Sequence, residues 1–487
     1  MYAISVGLLS CLLFGCNSTK FLKSDEFLLD KNTVEIKQKV ENKGDLAYEL
    51  STYYRQKPNS NFFTVFPREW QYFRLSDKED LNAWQRFKFR SFAEEPAIYN
   101  DSLTSITALD MQTYLKYKGY LRAKVIPQRD PRKKKMRVSY YALPDARFIL
   151  DTINFNSTDS RVDELLQAAK EESLFKAGDP LDLSVFAQEK QRITNFMRNN
   201  GYAEFYQNQI GDLELDTFQT PNHANIYLNI LPPFGDSTHQ QFFIGDINVY
   251  LDYTIDASNI EQDTTIAGLR FLLSERGFIV DPAILRKAIS LRPGERYSLG
   301  NYNSTNEQLS ELGVFRFVRI KTIRDLNKED VIHFSIQLTP DYLLEFDTAL
   351  ELNYTNRSSG GSIGNLLGFS LSPSVTHKNL FHGAEFFRMG LSAGVEMAPN
   401  NIGDATFWNT VDLKAQFGLS LPKFVDYLGI WRKLYRLPIG KDKHLLNRSF
   451  YRGLQEKAKT NMEAVYEYLL IIDWYRYHSL NLSYGFQ

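Results

Sequence analysis

Cysteine is nearly absent from this chain. Its 487 residues hold two, Cys11 and Cys16, both in an apolar N-terminal stretch. Zinc sites built of cysteines and disulfide frameworks are therefore excluded. An excess of one charge is also lacking. The net charge is −1, so no global field favours nucleic acid. Histidines are few and scattered, at His223, His239, His333, His377, His382, His444 and His478, and none forms a His-Glu-x-x-His pair. No phosphate-binding glycine loop occurs. Gly360-Gly361-Ser362-Ile363-Gly364 matches the Gly-x-Ser-x-Gly nucleophile pattern, but that elbow must join a buried strand to a helix. Here it lies between two alternating segments and reads as a hairpin turn. No catalytic residues, cofactor or metal site are expected, and the chain does not read as an enzyme.

What is present is alternation. Leu344, Phe346, Leu350, Leu352 and Tyr354 alternate with Glu345, Asp347, Glu351 and Asn353. Leu367, Phe369, Leu371 and Val375 alternate with Gly368, Ser370, Ser372 and Ser374. The same holds for Phe387 to Val395 and for Val411 to Ser420. A strand sends successive side chains to opposite faces, so each segment has an oily side and a wet side. Segments of about ten residues with this pattern suit an outer-membrane β-barrel, with lipid outside and water inside. A soluble antiparallel sheet with one buried face would alternate in the same way. The 35 Phe and 28 Tyr suit strands and interfacial girdles. About six segments are found, the last being Leu480 to Phe486. Between two of them, Pro422 to Lys459 reads as a loop or short helix at a strand junction.

Residues 1–15 form an apolar segment of signal-peptide length, too short to cross a bilayer as a helix. Leu13-Phe14-Gly15-Cys16 resembles a lipoprotein processing box, and Cys16 is the expected lipidation site; the alternative is an ordinary secretory signal whose cysteine is incidental. Phe14 is bulky for its place, and no Lys or Arg precedes the apolar run.

Before Pro340 a unit repeats. Each copy pairs a helical stretch ending in glycine plus an aromatic with a following strand: Ala108 to Gly119-Tyr120, Phe186 to Gly201-Tyr202, and Ile266 to Gly277-Phe278. Glycine suits the left-handed C′ position that ends a helix. A spacing of roughly 80 residues allows one small core per unit. Hairpins follow, around Asp130 to Lys135 and around Pro221-Asn222, so the order is strand, helix, helix, strand, strand. Arg132-Lys133-Lys134-Lys135 is the densest charge run and reads as a solvated hairpin tip, with contact to anionic lipid or an acidic partner as the alternative.

These repeats resemble POTRA domains, and the chain resembles the BamA/TamA family of outer-membrane assembly proteins. It is closest to the lipoprotein branch TamL of Bacteroidetes-type bacteria. The likeness rests on Arg55-Gln56-Lys57-Pro58-Asn59, on Glu95-Pro96-Ala97-Ile98-Tyr99, and on Glu189-Lys190-Gln191-Arg192-Ile193 through Asn200-Gly201-Tyr202. Its most specific part is Leu291-Arg292-Pro293-Gly294-Glu295-Arg296-Tyr297 with Leu309, Leu312-Gly313-Val314-Phe315 and Val318. Family barrels close with many more strands than are found here, so a truncated reading frame is expected, or a second chain that supplies the rest. Arg452-Gly453 matches the Arg-Gly pair of the family's inward-folded loop but lies too early in the barrel to be equated with it.

The fold expected is therefore α+β POTRA repeats followed by a partial antiparallel transmembrane β-barrel. The divisions are a signal peptide at 1–15, POTRA-like domains at 16–145, 146–236 and 240–340, and a barrel portion at 341–487. The resemblance implies a Gram-negative outer-membrane location with periplasmic POTRA domains. It also implies insertion of other barrel proteins by strand augmentation, without covalent chemistry. Leu344, Phe346, Leu350, Leu352 and Tyr354 would mark the seam strand. Partners implied are unfolded outer-membrane protein clients, a TamB-like periplasmic partner and outer-membrane lipid; nucleic acid is not among them. The alternatives are a periplasm-facing scaffold lipoprotein with a soluble β tail, a POTRA-bearing secretion pore, and a lipid-transport partner.

Overall fold

The computed structural model describes residues 18–62, 66–76, 80–253, 260–356, 365–398, 407–427, 429–437, 446–472 and 474–487. Cys16, the apolar stretch before it and the Gly360–Gly364 motif lie outside these residues. The chain forms two compact units: Met1–Thr194 with Tyr206–His239, and Asn195–Phe205 with Gln240–Gln487.

The first sheet begins with β1 (Leu28–Ile36). A short antiparallel pair of β2 (Asn61–Phe62) and β3 (Phe66–Pro67) intervenes, and β4 (Lys124–Arg132) and β5 (Lys135–Leu143) complete the sheet. Its order is β1-β5-β4, with β1 parallel and β4 antiparallel to β5. Helices Lys43–Ser51 and Asp101–Tyr117 supply Leu50, Met111 and Leu115 to a core closed by Val138, Tyr140 and Ala142. The longer helix starts where the Asn100 side chain accepts the Leu103 N–H at 3.2 Å, a side-chain N-cap. Residues between the two helices add the Arg68–Ser76 and Ala83–Phe92 helices.

The second sheet repeats this wiring. β6 (Ile149–Ser157), β7 (Ile210–Asp216) and β8 (His223–Ile230) take the order β6-β8-β7, with helices Ser160–Ala168 and Phe186–Asn199 between β6 and β7. Glu189 is fully buried. It accepts from the Ser173 hydroxyl and the Leu174 N–H, both at 3.0 Å, and from the Arg192 guanidinium at 2.8 and 3.0 Å.

The third sheet contains β9 (Phe243–Tyr250), β10 (Gln262–Ile266), β11 (Leu269–Leu273), β12 (Phe315–Arg324) and β13 (Val331–Pro340) in the order β10-β11-β9-β13-β12. The same parallel first-to-last pairing recurs between β9 and β13. Helices Pro282–Ala288 and Leu299–Glu311 cover it.

The expected helix over Ile266 to Arg276 is instead the β10–β11 hairpin. Ala267 (φ +50°) and Gly268 (φ +82°) make its two-residue turn, the left-handed pair that tight hairpins favour. Leu269, Phe271 and Leu273 are buried with strand periodicity. The helix of this unit ends instead at Leu312-Gly313, with Gly313 at φ +65°.

The glycine joints of the first two repeats are real and alike. The Gly119 carbonyl accepts the Phe148 N–H at 2.9 Å, and the Phe148 carbonyl accepts the Leu181 N–H at 2.8 Å. Likewise the Gly201 carbonyl accepts the Phe242 N–H, and the Phe242 carbonyl accepts the Tyr297 N–H, both at 2.9 Å. Gly119 sits at φ +87°, and a Cβ there would overlap the Leu181 carbonyl.

The basic tip is not simply solvated. Lys134 donates to backbone carbonyls of the preceding N-terminal loop, including Ser24 at 2.7 Å. Lys135 pairs with Asp30 at 3.0 Å, and Arg132 with Asp130 at 2.8 Å.

The C-terminal part is a meander: β14 (Leu344–Asn356), β15 (Asn365–His377), β16 (Phe386–Met397), β17 (Trp408–Leu421), β18 (Thr460–Ile471) and β19 (Tyr475–Phe486). Each strand pairs antiparallel with the next, in sequence order. The segment between β17 and β18 carries two short helices, Ile430–Arg436 and Arg448–Lys457.

Candidate membrane-facing sheet

Register converts the alternation of single strands into two continuous faces. Leu352 lies opposite Phe369, Phe369 opposite Val395, and Val395 opposite Val411. Leu350, Leu371, Ala393 and Leu413 make a second such row, reaching Tyr468 on β18. Directly opposed residues share a face, so these rows form one apolar surface. Five residues of β14 stand on it together: Leu344, Phe346, Leu350, Leu352 and Tyr354 are each 60 to 69% exposed. Leu367, Phe369, Leu371, Leu413, Phe417, Leu480 and Leu482 are exposed as well. Soluble monomers rarely expose apolar patches beyond a few hundred Å².

The opposite face is polar and concave. It encloses a hollow of about 850 Å³ lined by Asp347, Glu351, Arg388, Asp412, Lys414 and Gln416, among others. Its side chains bond across strands. The Ser372 hydroxyl donates to Ser392 at 2.8 Å, Thr410 to Glu396 at 2.8 Å, and Gln416 to Glu463 at 2.5 Å. Small Gly390 and Gly394 face Ser374 and Ser370.

Strand length fits a bilayer. These strands run 12 to 14 residues, and about 9–11 tilted residues cross the hydrocarbon. Aromatics gather near both strand ends: Tyr354, Phe407, Trp408, Trp474 and Tyr475 at one, and Phe346, Phe387, Tyr484 and Phe486 at the other. No described helix is long and apolar enough to cross a membrane, which says nothing of crossing by strands.

The second end of the sheet is joined to the third α/β layer by a buried turn. Residues between β15 and β16 reach into that layer, where Ala384 is part of its core. Asn379 is buried; its Nδ2 donates to the Ile279 carbonyl at 2.7 Å, and its Oδ1 accepts the Ala384 N–H at 2.9 Å. Glu385 is buried too, and accepts the N–H groups of Phe381 at 3.1 Å and Gly383 at 2.9 Å. The Asp281 N–H donates to the His382 carbonyl at 2.7 Å. A Cβ at Gly313 would meet the Phe386 ring, so any other residue there must displace that ring from the helix end. Lys378 lies between Asp341, at 2.6 Å, and Glu345. The hydrogen bond from Lys378 holds the Asp341 carboxyl below its ordinary value. Burial works to lower the Lys378 pKa, but its bonds to Asp341 and Glu345 outweigh that and raise it.

The alternation put Leu344, Phe346, Leu350, Leu352 and Tyr354 on one face of a strand, and they share one face of β14. His377 and His382 lie at this junction. The junction residues Asn379, Glu385 and Lys378 were missed. A polar turn between two alternating strands looks like any solvated loop, and only their burial marks them.

No protein-family model matches this chain, and no curated protein does. Among solved structures, BamA from Haemophilus ducreyi lacking POTRA domains 1–3 superposes with a TM-score of 0.32 at 10% identity, over 70% of this chain and 59% of that one. POTRA3–5 of Haemophilus influenzae BamA gives a TM-score of 0.29 at 12% identity, over 65% and 99%. CdiB from Acinetobacter baumannii gives 0.25 at 8% identity, over 70% and 58%. Similarity at this level identifies no family.

Proposed function

We propose that this protein sits in a Gram-negative outer membrane, with the β14–β19 sheet in the bilayer and its α/β layers in the periplasm. There it assists the insertion or secretion of other outer-membrane polypeptides. The observation that carries this reading is the continuous apolar face across β14–β19, backed by a polar hollow. Hydrocarbon on one side and water on the other match both faces at once.

The work is strand addition rather than covalent chemistry. The α/β sheets end in edges of different character. Edge strand β4 contains Pro127 and Pro131 and is charged, which blunts pairing. β7 carries Asp212, Glu214 and Asp216, and β12 carries Arg316, Arg319, Lys321 and Arg324. β10, Gln-Asp-Thr-Thr-Ile, has neither proline nor a charge run, and its only charge is engaged by Arg270. It is an edge suited to accept an extended client. β14 offers a second one at the membrane, where the oily side chains of a client strand would align with Leu350 and Leu352. Lipidation at Cys16 would keep the periplasmic layers at the membrane surface.

A photo-crosslinker at Thr264 on β10 is expected to capture an outer-membrane barrel protein diluted from urea, and to miss the same protein once folded. The same group at Arg129 on β4 should capture neither. Equal yields at the two positions would remove strand addition from the reading. Folded, unheated material should migrate differently from heated material in SDS gels if the sheet lies in a membrane-type barrel wall. Palmitate label should vanish in Cys16→Ala.

A further inference from the structure

The segment joining β17 to β18 is unlike the rest of the chain. Between Pro422 and Lys459 lie ten Lys or Arg and three Asp or Glu, in a protein whose net charge is −1. Its two helices stand at the sheet end that meets the third α/β layer, since Leu421 pairs with Thr460 and Thr460 with Phe486. Lys459 pairs with Glu311 of that layer at 2.9 Å.

The helices are held against the strand ends by rings and hydrogen bonds. Trp431 lies edge-on to Phe486 at 5.8 Å and tilted against Phe450 at 6.2 Å; Tyr435 stacks on Tyr451 at 4.6 Å. The Val425 N–H donates to the Thr460 hydroxyl at 2.8 Å, and that hydroxyl donates to the Lys423 carbonyl at 2.8 Å. Their outer surface mixes two kinds of side chain. Tyr427, Ile430, Leu437 and Phe450 are exposed. So are Lys423, Arg432, Lys433, Arg436 and Arg452, and none of these cations forms an ion pair among the described residues. Directly below, on the oily face of the sheet, is an apolar groove of about 460 Å³. Phe387, Phe417, Leu419, Met462 and Leu482 line it, and Tyr427 reaches over it.

We propose that this element is a binding site for anionic phospholipid at the periplasm-side rim of the sheet. The groove takes acyl chain, and the cations of the two helices hold the phosphate and an acidic headgroup. Basic amphipathic helices with aromatic residues on the apolar side lie in a membrane interface in this way, and cations near an anionic surface add attraction. The inference rests on the membrane reading of β14–β19, because the groove is continuous with that oily face.

Trp431 supplies the probe. The full chain, with Trp70, Trp84, Trp408 and Trp474 changed to Phe, is placed in vesicles containing acyl-brominated phosphatidylglycerol or acyl-brominated phosphatidylcholine at equal mole fraction. Brominated phosphatidylglycerol is expected to quench Trp431 more strongly. The triple variant Arg432→Glu, Lys433→Glu, Arg436→Glu should lose that preference and keep the phosphatidylcholine level. Equal quenching by the two lipids in the parent, or none by either, overturns the proposal; the second result would mean that a protein surface covers the helices. A second variant carries Leu371→Trp with Trp431→Phe. If it is quenched while Trp431 shows no lipid preference, the lipid site falls and the membrane reading stands. If Leu371→Trp is not quenched either, both fall.

Discussion

Asn379 donates from its side chain to the backbone carbonyl of Ile279 at 2.7 Å, a bond across 100 residues of sequence that ties the β15–β16 turn to the third α/β layer. The same amide accepts the Ala384 N–H at 2.9 Å. One buried side chain therefore shapes the turn and docks it. Asn379→Ala strands a buried donor and a buried acceptor, which costs about 1–3 kcal/mol for each group left unpaired. The expected result is a lower guanidinium midpoint. Asn379→Asp retains the acceptor but sets a buried carboxylate against the Ile279 carbonyl, and should lower the midpoint as well. An unchanged midpoint in Asn379→Ala would mean that the Asp281–His382 bond and the burial of Ala384 dock the turn without it.

The Asp341–Lys378 pair beside this turn makes a prediction in pH. The folded Asp341 carboxyl lies below its ordinary value of 3.8. Its contribution is therefore complete above that value and is lost as the pH falls through the lower, folded one. Lys378 lies above its ordinary 10.5, so its contribution is complete below that and disappears only at higher pH. Between the two values the pair's contribution is flat. Asp341→Asn should lower the denaturation midpoint at neutral pH, and the gap to the parent should close in acid. A gap that persists after Asp341 is protonated would place the effect in packing rather than charge.

Gly119 and Gly178 separate two roles of glycine. Both have φ +87°, but a Cβ at Gly119 would strike the Leu181 backbone, whereas one at Gly178 meets open space. Gly178→Ala should cost the left-handed strain alone, roughly 1–2 kcal/mol. Gly119→Ala should cost more, because Leu181 must move and its bond to Phe148 is disturbed. Thermal unfolding of the two variants measures the difference. Equal melting temperatures would sink the claim that Gly119 sets the joint between the first two layers.

Glu189 and Arg192 test the second layer. The carboxylate is fully buried and engaged by Ser173, Leu174 and Arg192. Arg192→Met leaves its charge uncompensated and should destabilise by about 3–5 kcal/mol. Changing both residues, Glu189→Gln with Arg192→Met, should recover part of that loss, read from chemical denaturation. No recovery would argue that Arg192 acts through its packing.

These residues also explain which features the sequence disclosed. The strands around Phe369 and Leu413 were legible because period-two alternation is local, and register then aligns faces that each strand already has. Gly119 and Gly201 were legible because a helix end needs a left-handed residue wherever it occurs. The Ile266–Arg276 stretch misled because Leu272 and Leu273 adjoin, which blurs the alternation of Leu269, Phe271 and Leu273. The tight Ala267-Gly268 turn lacks the Asn-Gly or Asp-Gly signal. Lys134 and Asn379 were opaque for another reason. Their partners lie roughly 100 residues away, and nothing local distinguishes a docked polar turn from a solvated one.

The sheet itself offers the sharpest test. Leu371 stands at the middle of β15 on the apolar face, opposite Leu350 and Ala393, while its neighbour Ser372 faces the polar hollow and bonds Ser392. A lysine at the bilayer midplane of a barrel wall costs about 2–4 kcal/mol, falling to about 0–1 near the interface. Leu371→Lys should therefore impair folding into vesicles strongly. Val375→Lys, on the same face but nearer the strand end, should impair it less, and Ser372→Lys should be tolerated. The graded loss distinguishes hydrocarbon from a protein lid, because a packed interior penalises buried charge without regard to distance from a membrane midplane. The measurement is the fraction of each variant that acquires heat-modifiable mobility after dilution from urea into lipid. If Leu371→Lys and Val375→Lys fold as well as the parent, or fail equally, the apolar face of β14–β19 meets something other than a bilayer.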